Sequence, residues 1–176
     1  MKKLILFLFL LRLCYSQEVI LDAKTEKNIY CLGEMITVEI TIKNDSIHNY
    51  IIRHFSMHTP ENGYDKKTKT PFNNILIINP EGKSLKFKGW FSDSFSPPPY
   101  QILAKGDKIS DVLKVSDIYN FDIKGEYRIL LQWGSSQEEF YPDKNIKEIA
   151  KKNKNAIFLN EVTNKKEIKL EIRSCK

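Results

Sequence analysis

The chain has 176 residues, 41% of them hydrophobic, with 28 Lys and Arg against 22 Asp and Glu for a formal charge of +6. That length fits one domain able to bury roughly two thirds of the surface its unfolded chain exposes, so a disulfide-dense scaffold is not required. Three of the basic residues, Lys2, Lys3 and Arg12, lie in an N-terminal leader, and 28 less 3 leaves 25 basic against 22 acidic side chains. So mild an excess excludes nucleic acid as an expected partner, because phosphate binding needs a concentrated basic face.

Residues 1–16 read as a secretory signal peptide, with a positive start at Lys2 and Lys3, an apolar run from Leu4 to Leu13 broken by Arg12, and small Ser16 two residues after Cys14. The run is shorter than the roughly 20 apolar residues a membrane span requires, and no later window approaches that length. Leu13 before Cys14 and Arg12 within the apolar run argue against lipidation. The expectation is therefore an exported protein, periplasmic or secreted, whose residues 17–176 form a single domain without a transmembrane segment.

Strand signals dominate that domain. A first short strand is expected at residues 19–21. Over residues 35–43, Ile36, Val38, Ile40 and Ile42 alternate with Thr37, Glu39, Thr41 and Lys43, the period of a half-buried strand. Asn44-Asp45-Ser46 is a glycosylation sequon that matters only in a host that glycosylates, and the bacterial form of the leader speaks against one. Weaker strands are expected at 49–57, 74–78, 85–90 and 109–115. Between the second and third of these, Asn79-Pro80-Glu81-Gly82 suits a type I turn closing a hairpin. Alternation returns at 126–133, where Tyr127, Ile129, Leu131 and Trp133 share a face, and again at Ile168, Leu170 and Ile172. Residues 143–153 place Ile146, Ile149 and Ala150 at helical spacing among good helix formers, which reads either as a short helix or as a solvated lysine-rich loop. Seven or eight short strands between turn clusters, with no long helical period, predict an all-β, immunoglobulin-like antiparallel β-sandwich.

Few residues carry catalytic chemistry. His54 and His58 stand four apart with His48 nearby, but four residues along a strand span about 13 Å, too far for one ion. No metal site and no cofactor are expected. No serine lies in a Gly-x-Ser-x-Gly elbow, and scattered serines such as Ser135 and Ser136 form no recognisable nucleophilic set. The most unusual composition is "GWFSDSFSPPPY", residues 89–100, where Trp90, Phe91, Phe95 and Tyr100 crowd around three prolines. These aromatics either cap the sandwich, with the prolines stiffening an edge connection, or form a recognition loop of the kind that supplies binding hot spots. Pro97-Pro98-Pro99-Tyr100 matches a ligand of intracellular WW modules, a match that export makes accidental. Lys144, Lys147, Lys151, Lys152 and Lys154 make a basic cluster, read as a solvated face or as a patch for an acidic partner.

Laid end to end, Tyr30-x-x-Gly33-Glu34, the strand ending in Asn44-x-Ser46, Leu103-x-x-Gly106-Asp107, Tyr119 and Gly125-x-Tyr127 give a pattern with a known relative. Across most of residues 18–135 it resembles the N-terminal immunoglobulin-like β-sandwich domain of deuterolysin-type and peptidyl-Lys metalloendopeptidases. Those enzymes bind zinc through a His-Glu-x-x-His helix in a separate catalytic domain. No such motif occurs in this sequence, so the resemblance implies a fold and an association with proteases but no catalytic residue. Locally, Asp122-x-x-Gly125-x-Tyr127 resembles the tyrosine corner of immunoglobulin-like domains, which implies structural roles for Gly125 and Tyr127, as the wider pattern does for Gly33. With Cys14 gone, Cys31 and Cys175 remain for one bridge in an oxidising compartment. In a sandwich of that topology Cys31 precedes strand B and Cys175 follows strand G at the same pole, which implies that the two are joined.

The functional expectation is an exported, non-enzymatic binding or accessory domain, which the resemblance implies is protease-associated, meeting another protein through loops or an edge strand. The alternatives are an envelope structural component without a specific receptor and a hydrolase whose residues converge only in space.

Overall fold

The computed structural model describes residues 19–53, 55, 74–88, 100–135, 144–159, 161–163 and 165–175. Their strands are β1 (Val19–Thr25), β2 (Ile29–Cys31), β3 (Thr37–Asn44), β4 (Asn49–Arg53), β5 (Asn74–Ile78), β6 (Tyr100–Leu103), β7 (Lys108–Lys114), β8 (Gly125–Gln132), β9 (Gly134–Ser135), β10 (Ala156–Phe158), β11 (Glu161–Val162) and β12 (Lys166–Arg173). Two helices join them, α1 (Val115–Ile118) and α2 (Lys144–Lys152). Eight of these strands have four or more residues, in line with the expected seven or eight, and the other four have two or three.

Alternation builds the two main sheets. On β3 the buried apolar residues are Val38, Ile40 and Ile42, on β8 Tyr127, Ile129 and Leu131, and on β12 Ile168, Leu170 and Ile172, all in one core. Side chains that point inward at every second position from both layers are what let two sheets share a single interior. One layer has the order β1-β3-β7, antiparallel throughout. The other has the order β2-β12-β8-β5, antiparallel except for the short parallel pairing of β2 with β12. The all-β sandwich is thus formed as the residue pattern predicts. An ion pair of 2.6 Å between Lys166 on β12 and Asp22 on β1 links the layers at one margin.

Beyond the ends of β3 and β7 the chain continues into a third sheet of order β10-β4-β6. Asn44 makes that join. Its backbone N–H donates to the Asp107 carbonyl at 3.0 Å and its carbonyl accepts from the Gly106 N–H at 2.9 Å. The side-chain amide donates to the carbonyls of His48 (2.8 Å) and Leu103 (3.0 Å), while its oxygen accepts from the Ser46 N–H and hydroxyl. Asn44 is 0% exposed. In the folded domain the amide of this sequon is therefore a buried corner piece, with both protons engaged, and not a surface acceptor.

β4 is buried on both faces: Tyr50 and Ile52 belong to the main core, whereas Ile51 packs with Tyr100, Ile102, Ile149, Ala150 and Phe158. The helical alternative for residues 143–153 is realised as α2, because Ile149 and Ala150 cover this second cluster and leave Lys151 and Lys152 in solvent. A turn forms at Asn79–Gly82 as expected, with the Gly82 N–H donating to the Asn79 carbonyl at 2.9 Å and the Asn79 side chain accepting from the N–H groups of Glu81 and Lys83. Its second strand does not follow. Residues 85–88 are irregular, since after one bond from the Leu85 N–H to the Ile77 carbonyl the Lys88 N–H turns instead to the carbonyl of Ile118. Phe87 then meets Tyr119 edge to face, with ring centroids 5.8 Å apart.

Replacing Asn44 by Ala removes the side-chain donor to the buried Leu103 carbonyl and one of two donors to the His48 carbonyl. A loss of about 2 to 3 kcal/mol of unfolding free energy is expected in urea titration, against a much smaller loss for Ser46→Ala, whose site is only half-buried. Equal losses in the two variants would show that Asn44 is not the corner's anchor.

Candidate functional site

Two turns of identical design frame the sandwich. In Cys31-Leu32-Gly33-Glu34 the Glu34 N–H donates to the Cys31 carbonyl at 3.0 Å, and the Glu34 carboxylate accepts from the Cys31 N–H at 2.8 Å. In Ala104-Lys105-Gly106-Asp107 the corresponding distances are 2.9 and 3.2 Å. The third residue of each is a glycine with φ near +80°, the conformation that a type II turn demands there and that other residues rarely adopt.

The first of these turns is locked from several sides. Cys31 is joined to Cys175 with their Cα atoms 5.4 Å apart, closing a separation of 144 residues and tying β2 to the end of β12. Lys27 forms an ion pair with Glu34 and lies over the Tyr30 ring, 5.0 Å from its centroid. The Lys27 ammonium first, and the Cys31 N–H second, hold the Glu34 carboxyl below the usual carboxylate range.

Opposite the turn stands the connection from β7 through α1 to β8. The Tyr127 hydroxyl accepts from the Ile123 N–H at 3.0 Å, the tyrosine-corner bond that the sequence pattern implies. Phe121 packs on the Tyr127 ring with centroids 5.0 Å apart, and burial pushes the Tyr127 phenol up. At the start of β8, Gly125 has φ +127°, and a Cβ there would meet Pro80 side-chain atoms at 2.9 Å. The Tyr119 hydroxyl donates to the Ile75 carbonyl at 3.2 Å, and the Ser116 hydroxyl accepts from the Ile36 N–H at 3.1 Å. The connection is thereby pinned to both layers.

Between turn and connection lies an open cleft of about 470 Å³, lined by residues 31–35, by Ser116, Asp117 and residues 119–122, and by Ile172. Met35 (58% exposed) and Leu32 (47% exposed) present large apolar surface there, with Asp117, Asn120 and Asp122 exposed on the other side. Large apolar side chains left in solvent beside a preformed concavity are characteristic of surfaces that meet a partner.

The aromatic stretch singled out in the sequence does not line this cleft among the described residues. Tyr100 is 8% exposed within β6 and packs with Ile51. Trp90, Phe91 and Phe95 lie outside the described residues, as do His54, His58 and Ser136. His48 is exposed, and its N–H donates to the Ser46 hydroxyl. Ser135 is buried in β9, and Lys151, Lys152 and Lys154 are exposed. Among the described residues no group of three His, Cys, Asp or Glu side chains is placed to hold a metal ion, and no helix is long and apolar enough to cross a membrane. Large apolar residues on either side of Gly33-Glu34 are the signal by which sequence alone points to half of the cleft. Its other half, residues 116–122, has no such signal.

No protein-family model matches the chain, and no curated protein matches it. Solved structures that it matches include the β-glucosidase of Listeria innocua, as a mutant in complex with laminaribiose (14% identity, TM-score 0.33) and in a second crystal structure (16% identity, TM-score 0.32). Each match covers 88% of this chain and 16% of that enzyme's chain. The chain therefore spans less than a fifth of that enzyme's length.

Two outcomes follow from the locked turn. Because the folded-state pKa of Glu34 is depressed, its contribution to holding the turn is complete above the ordinary glutamate range and disappears as pH falls through the lowered value. The Cys31 amide resonance is expected to titrate with that low midpoint, and Glu34→Gln is expected to remove the transition. A Cys31→Ser, Cys175→Ser variant is expected to lose about 5 kcal/mol of unfolding free energy in the chain-entropy model, read from denaturant midpoints.

Proposed function

We propose that this chain is an exported, non-enzymatic binding or accessory domain that recognises another protein through the loops at its disulfide-bonded pole. The observation that carries the reading is the cleft itself, with Leu32 and Met35 exposed at a turn locked by the Cys31–Cys175 bridge. A surface held in place before binding loses little conformational freedom on association, so modest apolar burial there translates into affinity. The sandwich supplies the rigid frame on which such loops act. The bridge also suits an oxidising compartment, in keeping with a leader at residues 1–16. Protease association is the sharper form of the same reading and rests on the resemblance to the peptidase-associated domain.

Affinity capture from the envelope and secreted fractions of its own cells tests the proposal, using the oxidised domain beside a Leu32→Ser, Met35→Ser variant of equal melting temperature. One stoichiometric protein enriched by the parent and reduced at least about tenfold in the variant is the expected result, since two apolar side chains of this size contribute that much when buried. Equal capture by both moves the site off the pole, and a Trp90→Ala, Phe91→Ala variant then tests the aromatic stretch. Absence of inhibition across a protease panel at micromolar domain removes the inhibitor version.

A further inference from the structure

We infer that the polar cleft selects a cationic segment of its partner, one Arg or Lys side chain beside an apolar one. The inference rests on the proposed site and adds the chemistry of what enters it. The walls combine two features that are complementary to such a segment. The apolar surface comes from Leu32 and Met35 at the mouth and from half-buried Phe121 along the connection. The charge comes from Glu34, Asp117 and Asp122, and no Lys or Arg belongs to the lining. Glu34 is already engaged by Lys27. Asp117 and Asp122 are both exposed, and among the described residues neither has an ion-pair partner. The lining thus carries carboxylates and no cation of its own, the arrangement that sets up a local negative field. Such a field attracts cationic groups, repels anionic ones, and orients a partner before apolar contact is made.

The carboxylates are positioned by independent devices. Asp117 lies within α1, which is held to Ile36, the residue before β3, by the bond from the Ile36 N–H to the Ser116 hydroxyl. Asp122 immediately precedes Ile123, whose N–H is tied to the Tyr127 hydroxyl. Neither carboxylate is needed for those bonds, so both can be neutralised without dismantling the pole.

The test titrates the isotope-labelled, oxidised domain with three capped pentapeptides, Gly-Leu-X-Leu-Gly, in which X is Arg, Gln or Glu. The expected result is that the Arg peptide shifts amide resonances of residues 31–36 and 116–122 and binds about tenfold more tightly than the Glu peptide at low salt, as two partly screened ion pairs allow. That preference is expected to collapse at about 1 M salt, where the screening length is roughly 3 Å. An Asp117→Asn, Asp122→Asn variant with the parent's melting temperature is expected to bind all three peptides alike. Binding at these amides without charge preference overturns the inference and leaves the proposed site standing. Shifts confined to other surfaces, or none with any peptide at millimolar concentration, also overturn it, and the Leu32 and Met35 capture result then decides separately whether the pole binds at all.

Discussion

Every second residue of β3, β8 and β12 enters the same interior, and the rest of the molecule depends on that shared phase. A slip of one residue in the pairing of β8 with β12 would turn Ile168, Leu170 and Ile172 to solvent and carry Lys169 and Glu171 inward. The register is therefore set by burial, and it determines where each strand ends. Because β12 ends with Arg173 beside Cys31, the parallel pairing of β2 falls at the margin of the sheet, and Cys175 is brought within bonding reach. The covalent bridge secures a position that strand pairing has already selected.

The two poles of the β1-β3-β7 layer are closed by different means. At one, Asn44 replaces the next apolar residue in the alternation and uses its amide to hold a bend through which β3 and β7 pass into the β10-β4-β6 sheet. A buried amide with all its hydrogen-bonding capacity used is stable there, whereas an aliphatic side chain would leave carbonyls unpaired. At the other, the closure is made by turns, a tyrosine corner and a disulfide, and it leaves a concavity. The first pole is therefore a joint of the scaffold and the second an exposed site with a rigid margin.

Electrostatics divides the surface in the same way. Most ion pairs are exposed and contribute little to stability, as expected of pairs such as Lys24 with Glu39 and Lys83 with Glu81. Around the cleft the arrangement differs, because Lys27 and Glu34 satisfy each other on the turn while Asp117 and Asp122 face open solvent. Among the described residues, the pole thus combines exposed apolar side chains with carboxylates that have no ion-pair partner.

Period-two patterns at residues 35–43, 126–133 and 168–172 were sufficient to name the core faces of three strands, because alternation is a local property that burial acts on directly. The turn at Asn79 to Gly82 was legible for a similar reason, since proline and glycine restrict their own dihedral angles. Residues 85–88 were not, because their backbone bonds a carbonyl of α1, distant in the chain. Asn44 carried a modification signature in sequence and a structural one in space, and only its neighbours 59 and more residues away decide between them. Tyr100, attractive as part of an aromatic loop, proved to be a packing residue once β4, β10 and α2 were assembled around it. The sequence by itself determined the all-β class and the core faces of three strands, which follow from local periodicity and turn chemistry, while the tyrosine corner was indicated by the resemblance of its motif to immunoglobulin-like domains. Only the tertiary structure decided that residues 31–35 and 116–122 share a cleft, because their juxtaposition is produced by strand pairing across the whole domain and leaves no trace in either segment alone.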